Sequence, residues 1–212
     1  MSQAHKPTAL LLVSDNCPHC HTMKNQLQHK LEQGLLETLD IVNIQHDQAV
    51  AERYAVRSVP WLRLGDFIFS GALTSSELDR WIRLSQQPSG DQFYLKNRLE
   101  EGNLQSAIDY LSEHSESLSG LFKLLSDDSL KMNVRIGIGA VIEHFEGTAQ
   151  LQQAVSDIRD LLRDSHGHNR ADACYYLSLT GLSDVKADLE ALLNDNDPEV
   201  RSIAKESLNE MQ

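Results

Sequence analysis

The first 86 residues alternate between two hydrophobic patterns. Short apolar runs rich in β-branched residues are typical of strands, and longer segments whose apolar residues recur every three or four positions are typical of helices. Gly65 and Asp66 separate two of the short runs, and such a pair favours a two-residue hairpin turn. The short runs predict strands at residues 8–13, 39–44, 61–64 and 67–69. The longer segments predict helices at residues 17–31 and 49–54 and from an N-cap at Thr74 through Leu84.

The pattern changes after residue 86. Residues 87–91 contain Pro88 and Gly90 among polar side chains, which is typical of a linker. From residue 92 to residue 212 the pattern is helical, with breaks that predict about eight helices. The breaks lie at residues 102–103, 114–117, 126–128, 147, 165–169, 181–183 and 194–197. We therefore predict a mixed α/β domain at 1–86, a linker at 87–91 and an all-α domain at 92–212.

The helical half contains a repeated pattern. The sequences LLSDD, LLRDS and LLNDN begin at Leu124, Leu161 and Leu192, so their starts lie 37 and 31 residues apart, which is typical of repeated helix pairs. Each of them precedes an arginine that opens a helix rich in alanine or isoleucine. These arginines are Arg135, Arg170 and Arg201. We expect the repeated aspartates and arginines to cap helices and to bridge neighbouring repeats, rather than to act as acids and bases.

The negative charge of the chain is concentrated in this helical half. The formal net charge is −12, and residues 1–88 hold 8 Lys+Arg and 9 Asp+Glu whereas residues 89–212 hold 11 and 22. This balance argues against binding to nucleic acid and to an anionic membrane surface, both of which favour basic residues. It is compatible with a basic protein partner or with a solvated acidic face.

Targeting signals are not evident in the sequence. The first seven residues lack an apolar signal core, residues 10–13 are too short to be one, and no stretch approaches the length of a transmembrane span. We therefore expect a cytoplasmic protein, in which a pair of cysteines would rest mainly in the reduced form.

Candidate chemistry is concentrated where the first strand meets the first helix. Cys17 and Cys20 are two of the three cysteines, and their two-residue spacing lets the sulfurs close a disulfide. Cys17 is expected at the start of a helix, where free N–H groups favour the thiolate, which is the nucleophilic form. We predict that Cys17 attacks and that Cys20, one turn into the helix, resolves the mixed disulfide.

Two neighbouring residues fit this prediction. Pro18 suits a first helical turn, where its missing N–H is not needed. His19 adds a donor or a positive charge beside the Cys17 sulfur and is expected to lower the pKa of that thiol.

Zinc binding is one alternative for a pair of cysteines at this spacing. A structural zinc site needs four ligands, and the third cysteine, Cys174, lies far away in the chain. His21 and His46 could complete only an improvised site. An inert structural pair is a further alternative. We favour the redox interpretation, and we expect neither a metal nor a cofactor.

The order strand, helix, strand, helix, hairpin, helix, together with the Cys-Pro-His-Cys sequence, resembles the thioredoxin fold without its usual first strand and helix. The segment from Asn43 to Pro60 is similar to the thioredoxin pattern that leads to the characteristic proline of that family. Residues 70–73 (Ser-Gly-Ala-Leu) also resemble the last turn before the final helix of the family. The resemblance covers about residues 8–86.

This resemblance implies further site residues. It implies a cis Val59–Pro60 bond that faces Cys17 and exposes backbone groups to an extended substrate, whereas a trans turn proline is the alternative. It places Val59 as a substrate contact. Trp61 would lie beside the site, either as a substrate contact or as a core aromatic residue.

Three features depart from the thioredoxin pattern. Leu11 stands where thioredoxins have a buried acid, and Asn16 stands where they have a tryptophan. Without that acid, proton transfer to and from Cys20 must use water or a histidine such as His21. The Cys-Pro-His-Cys centre resembles that of the oxidising DsbA type, which implies a less reducing couple than thioredoxin has.

In the helical half, residues 197–201 (Asp-Pro-Glu-Val-Arg) with Ala204 resemble the second helix of HEAT-like repeats. This resemblance implies a solenoid that presents a surface to another macromolecule. We interpret Cys174 as a buried small hydrophobic residue rather than a third redox centre. We interpret His166 and His168 as solvated residues of an inter-helix loop rather than metal ligands.

Two functions are compatible with this sequence. The first is a cytosolic thiol–disulfide oxidoreductase that serves cell redox homeostasis, whose acidic repeats recruit a protein substrate. A glutathione-linked variant of it is suggested by residues 58–60 (Ser-Val-Pro), which resemble a glutaredoxin pattern, with Lys24 and Arg57 as weak candidates for the glutathione carboxylates. The second is a redox-responsive adaptor, in which the state of the disulfide changes partner binding without significant turnover.

Overall fold

The computed structural model describes residues 5–211. Residues 1–4, part of the segment interpreted above as lacking a signal core, and Gln212 lie outside the described residues. Contacts between residues divide the chain into two units, residues 1–93 and 94–212. The domain boundaries given above, with a linker at 87–91, stay predictions.

A mixed sheet forms the centre of the first unit, and four strands lie within its described part. The strands are β1 (Ala9–Val13), β2 (Leu39–Asn43), β3 (Trp61–Leu64) and β4 (Phe67–Ser70). Their order is β2-β1-β3-β4, in which β1 is parallel to β2 and antiparallel to β3, while β3 and β4 form a hairpin. Gly65 in the hairpin turn has φ +58°, a conformation that favours glycine. The four predicted strands are confirmed, each to within one residue at either end.

Three helices lie between His5 and Gly90 in the described part of the first unit, and each begins at a side-chain cap. They are α1 (Pro18–Glu32), α2 (Gln48–Arg53) and α3 (Ser75–Leu84). The caps are Cys17, Asp47 and Thr74, whose side chains accept hydrogen bonds from backbone N–H groups of the first turn. These helices are confirmed to within one residue of the predicted positions.

One face of the sheet is fully buried where β1, β3 and β4 pair. Leu11, Leu62 and Phe69 lie side by side in the strand register, and none of the three is more than 1% exposed. Phe69 packs on Trp81 of α3 with ring centroids 5.1 Å apart, and Met23 of α1 is also fully buried. This apolar layer holds the start of α1 at the end of β1, where the candidate redox residues lie.

An ion pair with one buried partner joins α1 to α3. The ammonium group of Lys30, whose side chain is 7% exposed, lies 2.7 Å from the carboxylate of Asp79, whose side chain is 36% exposed. Because a buried ammonium without a partner is costly, this pair fixes the last turn of α1 against α3.

The rest of the described chain is helical, with nine α-helices between Gly90 and Met211. They are α4 (Gly90–Glu100), α5 (Leu104–Glu113), α6 (Ser119–Leu125), α7 (Met132–His144), α8 (Ala149–Gln153), α9 (Val155–Leu161), α10 (Gly167–Leu179), α11 (Lys186–Leu192) and α12 (Pro198–Glu210). Short 3₁₀ turns occupy Ser115–Leu118 and Ser183–Val185. All seven predicted breaks separate helices. The prediction of about eight helices missed one further break, at Ala154 between α8 and α9.

The repeated arginines bind backbone carbonyls at the end of the preceding helix or in the loop that follows it. Arg135, Arg170 and Arg201 each occupy the fourth position of a 13-residue helix (α7, α10 and α12). Each guanidinium donates a hydrogen bond to a backbone carbonyl at or just after the end of the preceding helix. The acceptors are the carbonyls of Leu125 at 2.9 Å, Asp164 at 2.9 Å and Asp195 at 2.7 Å.

Two of these arginines also bridge successive helix pairs. Arg135 donates to the Asp172 carboxylate of α10 at 2.7 Å, and Arg170 donates to both carboxylate oxygens of Asp195 at 2.8 Å. The predicted bridging role is therefore confirmed for Arg135 and Arg170. The predicted capping role is confirmed for Arg135, at the last carbonyl of α6, and for Asp197, at the start of α12.

Candidate redox site

Cys17 and Cys20 are joined by a disulfide at the start of α1. Their Cα atoms are 5.2 Å apart, as the single helical turn between them requires. Cys17 is half-buried at the N-cap of the helix, whereas Cys20 lies in its first turn and is only 2% exposed. The two sulfurs of the pair therefore differ in their access to solvent.

The Cys17 sulfur lies within the hydrogen-bonding environment of the helix N-terminus. The Cys20 backbone N–H donates to this sulfur at 3.1 Å, and no acidic residue occupies the first turn of α1. Free N–H groups and the positive end of a helix favour a negative charge. A Cys17 thiolate would therefore be stabilised at this position when the disulfide opens.

Pro18 and His19 lie at the surface of this helical turn. Pro18 is the first residue of α1, as predicted, and both side chains are exposed. Within the described part of the chain, the His19 ring makes no hydrogen bond to the Cys17 sulfur. The hydrogen bond that α1 gives to this sulfur comes from the backbone N–H of Cys20. The effect of His19 on Cys17 stays a prediction.

The segment before β3 lies next to Cys17. The Val59–Pro60 bond is cis, as the resemblance implied, and the Val59 carbonyl oxygen lies 3.9 Å from the Cys17 sulfur. The Pro60 carbonyl accepts a hydrogen bond from the Gly71 N–H at 2.8 Å, which ties this segment to the end of β4. Val59 is half-buried, and Trp61 is 4% exposed, with its ring 5.1 Å from that of Tyr54. Their roles as substrate contacts stay predictions.

A surface cavity of about 270 Å³ lies on the other side of the disulfide, beside Cys20. Asp15, His21 and Lys24 contribute polar groups to its wall, and Ile41 and Asn43 of β2 complete it. The sequence indicated His21 only as a group for proton transfer or an improvised zinc site, and Lys24 only as a weak candidate for binding glutathione carboxylates. It did not point to Ile41 and Asn43, although the alternating pattern of β2 and a parallel pairing with β1 would have placed them at this edge.

The loop that precedes Cys17 is held by the loop that follows β2. The Asn43 side-chain amide donates to the Asp15 carboxylate, and the Asp15 backbone N–H donates to the Gln45 side chain at 3.0 Å. His46 lies 3.9 Å from the same carboxylate. These contacts fix the position of the loop from which α1 begins.

The other candidate residues lie outside this site. Cys174 of α10 is fully buried, and burial raises the pKa of its thiol to about 12, so its interpretation as a small hydrophobic residue is confirmed. His166 is the N-cap of α10 and lies near Asp164 and Asp128, at 3.1 and 3.5 Å. His168 lies in the first turn of α10, so its placement in a loop was wrong: the helix begins at Gly167.

Two features of the described residues bear on metal and membrane binding. Among residues 5–211, no group of three or more His, Cys, Asp and Glu side chains has an arrangement that could hold a metal ion. Nor is any helix in this range long and apolar enough to cross a membrane.

Comparison with known families gives the same two parts. Residues 9–83 match a family model described as a thioredoxin domain, and residues 118–209 match a model described as HEAT repeats. The chain therefore joins a thioredoxin domain to HEAT repeats, as the sequence indicated. No curated protein matches the chain.

Proposed function

We propose that this chain is a thiol–disulfide oxidoreductase that exchanges disulfides with protein substrates through Cys17 and Cys20. The observation that carries the proposal is the unequal exposure of the two sulfurs at the N-terminus of α1. Cys17, half-buried and in contact with the Cys20 backbone N–H, is placed to attack. Cys20, which is 2% exposed, is placed to act only on a sulfur already bonded to Cys17.

The exchange proceeds in two steps. The Cys17 thiolate attacks one sulfur of a substrate disulfide, which forms a mixed disulfide and releases one substrate thiolate. The Cys20 thiolate then attacks the Cys17 sulfur, closes the Cys17–Cys20 disulfide and releases the second substrate thiolate. Two protein thiols are oxidised, one substrate disulfide is reduced, and the two protons pass to the substrate thiols. The reverse sequence oxidises a dithiol.

The segment at Val59 and Pro60 supports a protein substrate. The Val59 carbonyl lies 3.9 Å from the Cys17 sulfur and can accept a hydrogen bond from an extended chain whose cysteine reaches that sulfur. Val59 and Pro60 would then order the backbone of the substrate. Trp61, which is buried and packs on Tyr54, would hold the adjoining Val59–Pro60 segment in position.

The HEAT repeats suggest how a substrate is recruited. Such repeats generally mediate protein–protein interaction. Residues 89–212 carry 11 Lys+Arg and 22 Asp+Glu, which favours a protein partner with a basic surface over nucleic acid or an anionic membrane. The proposed setting is the cytoplasm. There the Cys17–Cys20 pair would cycle between its oxidised and reduced forms as it reacts with successive substrates, and would contribute to redox homeostasis.

Trapping of the mixed disulfide tests this proposal. In Cys20→Ser the second step is removed, so the reduced variant should retain a disulfide-bonded substrate protein that reductant releases. The matched control is the double variant Cys17→Ser, Cys20→Ser, which should trap nothing. Equal trapping by the two variants would contradict the assignment of Cys17 as the nucleophile.

The redox-responsive adaptor is the alternative outcome. It requires that the oxidised and reduced chains bind a captured partner with different affinity while catalysing no turnover of a model disulfide. The reduction potential of the couple adds a second criterion. A value near that of thioredoxin, about −270 mV, favours a reductase, and a value near that of DsbA, about −120 mV, leaves the couple reduced in the cytosol and favours the adaptor.

A further inference from the structure

The buried position of Cys20 makes the loss of its thiol proton less favourable. The thiolate is the attacking form, and burial in apolar surroundings disfavours a thiolate. The Cys20 side chain is 2% exposed, and Leu11 and Leu12 on the adjacent strand are fully buried. Cys20 must nevertheless lose a proton each time it resolves a mixed disulfide.

The cavity beside Cys20 offers a path for this proton. Its volume of about 270 Å³ has room for several water molecules. Cys20 contributes to its wall together with Asp15, His21 and Lys24, which are the titratable side chains lining it. His46 lies beyond them, 3.9 Å from the Asp15 carboxylate. The cavity therefore brings Cys20 to the same wall as groups that can exchange protons with solvent.

The three side chains differ in what they can contribute. The Asp15 carboxylate accepts a hydrogen bond from the Asn43 amide and holds the loop before α1. The contribution of Lys24 is a positive charge, which favours a nearby thiolate. The His21 imidazole has one ring nitrogen that can accept a proton while the other donates, which suits a group that must both accept and return a proton.

We propose that His21 accepts the Cys20 proton through water in this cavity and that Lys24 supports the resulting thiolate. The inference rests on the proposed function and deepens it. In the resolving step, Cys20 gives its proton to the His21 imidazole and attacks the Cys17 sulfur with the electron pair left behind. The bond between Cys17 and the substrate sulfur breaks, the Cys17–Cys20 bond forms, and the departing substrate thiolate takes a proton from the imidazolium or from water.

A two-phase reaction separates this step from the first attack. The reduced chain is mixed with one equivalent of the aromatic disulfide dithiobis(nitrobenzoate), which releases a coloured thiolate on attack by Cys17 and a second one on resolution by Cys20. Rates of both phases are measured between about pH 5 and 9. In His21→Asn we expect the second phase to slow at least about tenfold at neutral pH, with the first phase unchanged.

The matched control is His29→Asn, which removes another exposed histidine of the same helix and should change neither phase. Circular dichroism checks that each variant is folded. Added imidazole should restore the second phase of His21→Ala. Lys24→Gln should slow that phase, and added imidazole should not restore it. A second phase in His21→Asn equal to that of the unaltered chain would overturn the role of His21. Failure of the unaltered chain to release any coloured thiolate would instead overturn the proposed function.

Discussion

Arg170 and Asp195 form a paired contact between two successive helix pairs of the HEAT repeats. The Arg170 guanidinium donates one hydrogen bond to each carboxylate oxygen, both at 2.8 Å, and the two side chains are 12% and 10% exposed. This hydrogen bonding holds the pKa of Asp195 below its usual range and raises that of Arg170. A charge-assisted pair of this geometry contributes more to stability than an exposed pair does.

We expect Asp195→Asn to lower the free energy of unfolding by about 2 kcal/mol, because it leaves the largely buried guanidinium without its carboxylate. Urea denaturation followed by circular dichroism measures this loss. Asp160→Asn is the control: Asp160 pairs with Arg163 at 3.5 Å, both side chains are about four-fifths exposed, and the expected loss is below about 0.5 kcal/mol. Equal losses in the two variants would contradict a larger contribution of the Arg170–Asp195 pair to the free energy of unfolding.

The carboxylate of Asp127 gives a prediction about pH. Hydrogen bonds from the Ser129 hydroxyl and backbone N–H, followed by one from Lys96, lower the pKa of Asp127 to about 2. Since this value lies below that of an unfolded aspartate, the group stabilises the folded chain above about pH 4 and loses this effect as the pH falls towards 2. A carboxyl NMR titration should show the low midpoint in the unaltered chain and a higher one in Ser129→Ala. Identical midpoints would contradict the role of Ser129.

Lys30 gives a prediction for the thioredoxin domain. Asp79→Asn leaves the buried Lys30 ammonium without its carboxylate, so we expect a loss of about 2–3 kcal/mol in the free energy of unfolding. The double variant Lys30→Met, Asp79→Leu should recover most of this loss, because it removes both charges and keeps the apolar volume. Glu32→Gln, which alters an exposed pair with His29 at 3.7 Å, serves as the control with little expected effect. No recovery in the double variant would mean that the buried charge is not the cause.

Cys174 gives a prediction about thiol reactivity. Burial raises the pKa of its thiol to about 12, so it holds almost no thiolate near neutral pH. Maleimide labelling of the native, reduced chain, read by mass spectrometry, should therefore leave Cys174 unmodified, and only labelling in denaturant should reach it. Cys174→Ala should give the same native labelling as the unaltered chain. Rapid native modification of Cys174 would show that α10 opens readily.

The parts of the fold that could be predicted are those with a local cause. The hairpin at Gly65 follows from a turn that favours glycine, and the helix from Thr74 follows from a capping residue with Glu77 three positions later. Ala154 could not be predicted as a break, because alanine is the best helix former and neither glycine nor proline lies beside it.

The candidate site likewise contains residues that could be predicted from local sequence and residues that could not. Cys17 and Cys20 were evident because their spacing and their place at a strand-to-helix junction are local features. The wall formed by Ile41 and Asn43 depends on the parallel pairing of β1 and β2, in which Val13 lies opposite Asn43, 30 residues further along the chain. The burial of Lys30 against Asp79 likewise depends on how two helices pack, and lysine in a sequence ordinarily indicates an exposed position.

The unequal exposure of the two sulfurs has a consequence for what can open the disulfide. An incoming thiolate must reach a sulfur from behind the bond that breaks, and a protein cysteine carries a bulky backbone with it. Cys17 is half-buried, whereas Cys20 is only 2% exposed. If the pair exchanges disulfides as proposed, this burial excludes a macromolecular thiol from Cys20, so that the thiol would become bonded to Cys17 and Cys20 would be the leaving group.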